Sequence, residues 1–298
     1  MRSDDAALAV AIAGSMAAGV VVPQPGLIIE HYILVWLGAL LFLNLIRLRS
    51  QDLLSTFTKP RKIIVLSSIK LVALPLAMYG LAHFIYEPAA VPVLLLSGIS
   101  TGLGSPFVIN LVGGRLPLVV GMIIATSLAV PFVLPFMVYA LVGSQFDIPL
   151  PQMVILLSAA LLTPLAAGWI TKKRLPAVAG FADRHSFLLS LIFIVLINFG
   201  MFAKFSSYFY SEQLFLFQSI AIAFLCFGAY CLVGYFSAGG GREERAAGLV
   251  SMTYVNNVLV AVFAFQFFGS PVAALAALYN IPYYAGIVAI KKLMPKCS

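Results

Sequence analysis

The chain has 298 residues, of which 62% are hydrophobic and 9% charged, and its formal net charge is +8. A mean hydropathy of +1.06 excludes a soluble globular domain. The positive charge does not imply nucleic acid, because the basic residues gather in every second connection between apolar runs.

Apolar runs of 18 or more residues read as membrane helices. Ten are expected, at 6–23, 27–46, 63–86, 89–111, 116–142, 150–171, 186–203, 213–237, 246–268 and 270–290. The first is read as a retained span. Asp4 and Asp5 stand beside Arg2, and its exit at Pro23-Gln24-Pro25-Gly26 lacks the small-residue cleavage pattern of a signal peptide. Basic residues then alternate sides: Arg47, Arg49, Lys59, Arg61 and Lys62; Arg115; Lys172, Lys173, Arg174 and Arg184; Arg242 and Arg245; Lys291, Lys292 and Lys296. Only Lys204 falls in an intervening loop, and the other external connections carry Glu87, Asp147 and Glu212. The positive-inside rule therefore expects a multi-pass protein of a bacterial-type inner membrane, with both termini cytoplasmic and ten spans between them.

Cys226 and Cys231 are five apart in the eighth run, do not share a helix face, and read as packing residues. No Cys/His cluster has metal-ligand spacing, and no cofactor is expected. Gly239-Gly240-Gly241 precedes Arg242-Glu243-Glu244-Arg245 and reads as a flexible turn instead of a phosphate loop.

Two runs are interrupted: Ser97-Gly98-Ile99-Ser100-Thr101-Gly102-Leu103-Gly104-Ser105-Pro106 in the fourth, and Ser251-Met252-Thr253-Tyr254-Val255-Asn256-Asn257 in the ninth. Broken helices survive in a bilayer only where protein or a wet cavity satisfies the freed backbone. A matched pair of breaks in two halves points to a transporter binding site. The expected architecture is thus an all-α membrane protein of ten helices, one transmembrane domain over 1–298. It divides into inverted five-helix repeats at 1–145 and 146–298, each broken in its fourth helix.

Few residues in the spans can titrate. Glu30, His31, His83 and Glu87 read as interfacial residues at the outer ends of the second and third runs. Lys70 lies seven residues into the third, about 10 Å from its edge at 1.5 Å per residue. It is either a snorkelling lysine or a site residue. Of the adjacent Asn256 and Asn257, one can face the bundle interior while the other braces a neighbouring helix. Ser100, Thr101, Ser105 and Pro106 form their counterpart in the fourth run, while Pro75, Pro131, Pro135, Pro164 and Pro282 read as kinks.

At these residues the chain resembles the bile acid/sodium symporter family in its bacterial ten-helix form. The likeness is clearest in Leu43–Pro75 (with Asp52-Leu53 and Lys59-Pro60), Ser97–Pro131 and Met252–Gly286, and it includes Asn110-Leu-Val-Gly-Gly-Arg-Leu-Pro-Leu-Val-Val. The resemblance implies a panel domain and a core domain, with two broken helices crossing at the binding site. It also implies two sodium sites, from which this chain departs. Met252 stands where the family has a glutamate, Asn256-Asn257 where it has Gln-Asn, and Ser105-Pro106 where it has Ser-Asn. Lys70, five residues before Pro75, stands where the family has a sodium-binding glutamine. Sodium wants oxygen ligands and a compensating carboxylate, whereas an ammonium brings its own charge and three donors for the carbonyls left by the unwound helix.

The expected function is secondary transport, or facilitated passage, of a small organic anion by alternating access. It is expected to be sodium-independent, with Lys70 standing in for the ion and Ser100, Thr101, Ser105, Pro106, Met252, Thr253, Asn256 and Asn257 around it. A lysine out of water can exchange its proton, so protons are one candidate coupling ion; a uniporter or exchanger is the other possibility. Half-helix N-termini near Gly104–Pro106 and Asn256-Asn257 are expected to face a carboxylate, with Lys70 adding to their field. The resemblance suggests sterols, pantothenate precursors or keto acids as cargo. An arsenite or auxin-type efflux carrier is the alternative, favoured by Asn256-Asn257 and Gly269–Leu275. No Cys lies between residues 1 and 225, however, to supply the thiol of the arsenite branch. A membrane enzyme or a non-transporting sensor is disfavoured, since no catalytic set is visible and no loop is long enough for an output domain.

Overall fold

The computed structural model describes residues 3–47, 60–102, 104–143 and 149–294, all in helices and their connections apart from one isolated β-bridge. Expectations placed on Arg2, Arg49, Asp52, Leu53, Lys59, Leu103, Asp147 and Lys296 lie outside the described residues. The helices are α1 (Ser3–Val21), α2 (Pro23–Glu30), α3 (Ile33–Arg47), α4 (Pro60–Ile85), α5 (Ala90–Gly98), α6 (Ser105–Val112), α7 (Leu116–Val142) and α8 (Leu150–Arg174). They continue as α9 (Pro176–Arg184), α10 (Ser186–Lys204), α11 (Ser206–Ser211), α12 (Gln213–Ala238), α13 (Arg242–Thr253), α14 (Asn257–Phe268), α15 (Ser270–Leu278) and α16 (Asn280–Leu293).

Among the described residues, six helices are long and apolar enough to cross a membrane: α4, α7, α8, α10, α12 and the run Ser270–Lys292. Of the other four expected spans, the first is the continuous helix α1, and the second, fourth and ninth are interrupted. The fourth and ninth break where the sequence indicates. The first two differ from expectation at their junction: the supposed exit at Pro23–Gly26 is helical, bent 105° from α1, and the next helix begins only at Ile33. Pro23 explains this, because a first helical position needs no N–H and proline's fixed φ suits it.

The described chain forms two compact units, each drawing on both halves of the sequence. The first comprises Met1–Leu48 and Ala159–Ser219. In it the bent α1–α2 pair packs on α10 at glycines. A Cβ at Gly19 would lie 2.6 Å from Phe199 O, and one at Gly26 would lie 2.4 Å from Ala203 Cβ. Lys204, the one basic residue on the expected outer side, pairs with Glu30 at the end of α2. Leu43, Ile46 and Ala182 form a small buried cluster between α3 and α9.

The second unit comprises Arg49–Ser158 and Ile220–Ser298. Its helices α12 and α13 touch backbone to backbone, since a Cβ at Gly234 would sit 2.5 Å from Gly248 O. Small residues at such crossings let helices approach closely in lipid. At one end Glu244 holds Lys62 at 2.5 Å and Arg115 at 3.1 Å, while Arg242 donates to Val112 O and Met294 O at the ends of α6 and α16. Within α4, a π-helical turn at Ile69–Ala73 contains Lys70, and Leu74 N donates five residues back to Ile69 O. Pro75 follows immediately. It has no N–H for the carbonyl four residues back, and the widened turn absorbs that misfit.

Candidate functional site

The two interruptions meet within the second unit. Helix α5 ends at Gly98, and Ile99 turns extended (φ −75°, ψ 160°) before α6 starts at Ser105. Helix α13 ends at Thr253, and α14 begins at Asn257. The segments pair as an antiparallel bridge at Thr101 and Val255. Gly102 N donates to Tyr254 O at 2.7 Å, and Asn256 N donates to Ser100 O at 3.0 Å. Glycine is required at 102 for space: a Cβ there would lie 2.5 Å from Val255 O and 2.7 Å from its carbon. Each break thus serves as the hydrogen-bond partner of the other, which is how irregular backbone is held where no water reaches it.

The carbonyls that α13 leaves free at its C-terminal turn are all taken up by the protein. Val250 O accepts from Tyr254 N at 3.0 Å, and Ser251 O from Thr101 Oγ1 at 2.8 Å. Met252 O accepts from Lys70 Nζ at 3.2 Å. Thr253 O accepts from Tyr279 Oη at 2.8 Å and Val255 N at 3.0 Å. Tyr254 O accepts from Ser105 Oγ at 3.0 Å as well as from Gly102 N. Donors from α4, the first break, α6 and the α15–α16 junction therefore converge on one helix end.

Lys70 is completely buried, which removes the snorkelling alternative. Its ammonium donates to Ser97 O at 3.0 Å and to Met252 O at 3.2 Å, the penultimate residues of α5 and α13, and lies 5.3 Å from the centre of the Tyr230 ring. No carboxylate pairs with it among the described residues. Its compensation comes from two helix C-termini, each worth about half a negative charge. Its hydrogen bonds go to carbonyls freed at two helix C-terminal ends, the kind of partner expected for an ammonium at an unwound helix.

The other expected site residues are gathered at the same crossing. Ser97, Ser100, Thr101, Ser105, Ser251, Met252 and Thr253 are sealed, and Pro106 opens α6. The hydroxyls of Ser100 and Ser251 have no partner among the described residues, while Thr253 Oγ1 reaches Cys231 Sγ at 3.5 Å. The two asparagines divide their roles: Asn256 caps α14 by accepting from Leu259 N at 3.3 Å, and Asn257 Nδ2 donates to Asn280 Oδ1. Sequence reasoning missed Thr126, Tyr230, Tyr279 and Asn280. Thr126 Oγ1 accepts from Thr101 N at 3.0 Å while donating to Met122 O. Tyr279 and Asn280 sit where the run Ser270–Lys292 changes from α15 to α16, and a polar pair inside an apolar run is the signal that marks them.

Comparison with known proteins places this geometry in context. The model of the sodium bile acid symporter family matches residues 34–212, more than half of the chain. A Bacillus subtilis (strain 168) protein described as the uncharacterized sodium-dependent transporter YocS is 27% identical over 146 residues. That match covers 48% of this chain and 46% of the relative, so the chain spans about half the length of the curated relative it matches. With two broken helices paired at their interruptions and the family model covering most of the polypeptide, this chain belongs to the sodium bile acid symporter family.

Proposed function

We propose that this protein carries a small organic anion across the membrane by alternating access, without sodium, with the Lys70 ammonium in the place of the ion. The reading takes the chain as ten spans in two inverted repeats, with both termini cytoplasmic. The two compact units are taken as the family's panel and core.

One observation carries the sodium-independent reading. The C-terminal carbonyls of α13, the oxygen-rich part of the crossing, already accept from protein donors, and a lysine nitrogen occupies the gap between the two half-helix ends. A sodium ion needs several oxygens at once, and here it would have to displace an ammonium of its own charge. The position where the family resemblance implies a carboxylate holds Met252, whose side chain is fully buried. These residues do not fit sodium. The Bacillus relative is described as sodium-dependent, and the proposal departs from that description on Lys70 and its two carbonyls.

Lys70, Ser97, Met252 and Tyr230 all belong to the second unit, so movement of that unit as a body leaves the lysine tie intact. A fixed internal cation supplies permanently what a sodium-coupled carrier must bind in every cycle.

The test is uptake into proteoliposomes of the organic anions that stabilise the purified protein in a thermal-shift screen. It is run with an inward sodium gradient and with choline in its place. Equal initial rates are expected, and a strong sodium requirement would overturn the proposal.

A further inference from the structure

Beside the lysine tie, the start of α6 presents a second arrangement. As the first turn of a half-helix it has a positive dipole end, but few donors to offer an anion. Ser105 N is spent on Gly102 O at 3.1 Å, Pro106 has no N–H, and Phe107 N is spent on Gly104 O at 3.1 Å. An anion drawn there by the dipole needs a donor from elsewhere.

Tyr283 of α16 is placed to give one. Its ring packs edge-on against that of Tyr254 in the other break, with centroids 4.7 Å apart. Its hydroxyl points at Gly104, so closely that a Cβ at residue 104 would lie 2.3 Å from it. The residue is 9% exposed, and its hydroxyl makes no hydrogen bond with any described residue. Gly104 itself is exposed. The hydroxyl of neighbouring Tyr254, by contrast, is sealed and therefore beyond a ligand's reach. A buried phenol whose donor is spent on no described residue, aimed at an open glycine on a half-helix N-terminus, touches both breaks at once.

We propose that Tyr283 is a substrate-contacting residue, its hydroxyl donating to a carboxylate or carbonyl oxygen of the cargo lodged over Gly104 at the start of α6. This rests on the transport reading above and adds to it a specific donor on α16. It also accounts for glycine at 104: a side chain there would fill the space and press on the phenol. Lys70 and Tyr283 then divide the crossing, the lysine serving the C-terminal ends of α5 and α13 and the tyrosine the N-terminal end of α6.

The test needs no knowledge of the cargo. In the full-length protein with its three native cysteines replaced by alanine, Tyr283→Cys is treated with two small thiol reagents. One is the anionic sulfonatoethyl methanethiosulfonate and the other its cationic trimethylammonium counterpart. Gly104→Cys in a Tyr283→Phe background places a thiol at the same spot and keeps the test available if the first variant does not fold. With each rate divided by the same reagent's rate toward a free thiol in solution, the anionic reagent is expected to react about tenfold faster than the cationic one, as an electropositive site concentrates anions. Absence of labelling by either reagent, or normalised rates that are equal or favour the cation, would overturn the proposal. The sodium-gradient result does not affect this outcome, so failure of the Tyr283 assignment and failure of the transport reading are distinguishable.

Discussion

Replacing Gly102 by alanine is the sharpest steric perturbation that the crossing allows. The added methyl would lie 2.5 Å from Val255 O, 2.7 Å from Val255 C and 3.0 Å from Tyr254 O, all backbone atoms of the opposite break. Backbone cannot rotate away as a side chain can, so the two segments must separate. Separation strains the bonds that flank the bridge, Gly102 N to Tyr254 O and Asn256 N to Ser100 O. Overpacking costs about 1–3 kcal/mol and each of the two weakened bonds about 1 kcal/mol, giving a loss of about 3–5 kcal/mol. Gly98→Ala is the internal control, because its Cβ would meet Leu134 Cδ1 at 2.9 Å, the far end of a flexible side chain that can shift. Gly80→Ala, with nothing within 4 Å, sets the baseline. In a thermal-unfolding assay of the detergent-purified protein, Gly102→Ala is expected to lower Tm by roughly 5–15 °C. Gly98→Ala should lower it by clearly less, and Gly80→Ala should leave it unchanged or raise it slightly. If Gly102→Ala is no worse than Gly98→Ala, the two breaks do not support one another as described.

Lys70→Ala strips the donor from Ser97 O and Met252 O and should cost about 3–5 kcal/mol, read as a fall in thermal stability. Propylammonium, which replaces the lost stem and charge, should recover part of that loss where propanol does not; equal rescue by both would contradict a cation requirement. Tyr279→Phe removes one of the two donors to Thr253 O, and the remaining Val255 N limits the loss to about 1 kcal/mol by the same assay. Glu244→Gln releases Lys62 and Arg115 and should cost about 1–2 kcal/mol at low ionic strength, with the difference from wild type shrinking as salt is added.

Much of the site was legible in the sequence because breaks in apolar runs are local events. Gly98, Pro106 and Asn256 are residues that end or cap helices, and the structure ends or starts helices at or beside each. Lys70 was legible as an anomaly, a charge deep in an apolar run. Carbonyls of an unwound helix were the expected kind of partner, but the particular ones were not legible. They are the main-chain oxygens of Ser97 and Met252, and no side-chain pattern reports which carbonyl a distant amine will reach. Tyr279 and Tyr283 were hidden for a different reason: a tyrosine in an apolar run reads as packing, and only its hydroxyl's neighbour gives it a role. The α1–α2 bend was missed because Pro23, Pro25 and Gly26 together signal a turn, yet two of them also suit a first helical turn. The grouping of Met1–Leu48 with Ala159–Ser219 was likewise hidden, because packing between segments over 100 residues apart leaves no local mark.

The central claim is that Lys70 occupies the place of a sodium ion, and binding of sodium to the purified wild-type protein tests it most directly. A ligand that binds only the folded state stabilises it by about 2.7 kcal/mol at one hundred times its dissociation constant, so a functional sodium site would be visible as a rise in Tm. Titration with sodium against choline at matched ionic strength is predicted to give identical unfolding curves. A rise in Tm specific to sodium and saturating with its concentration would contradict the account.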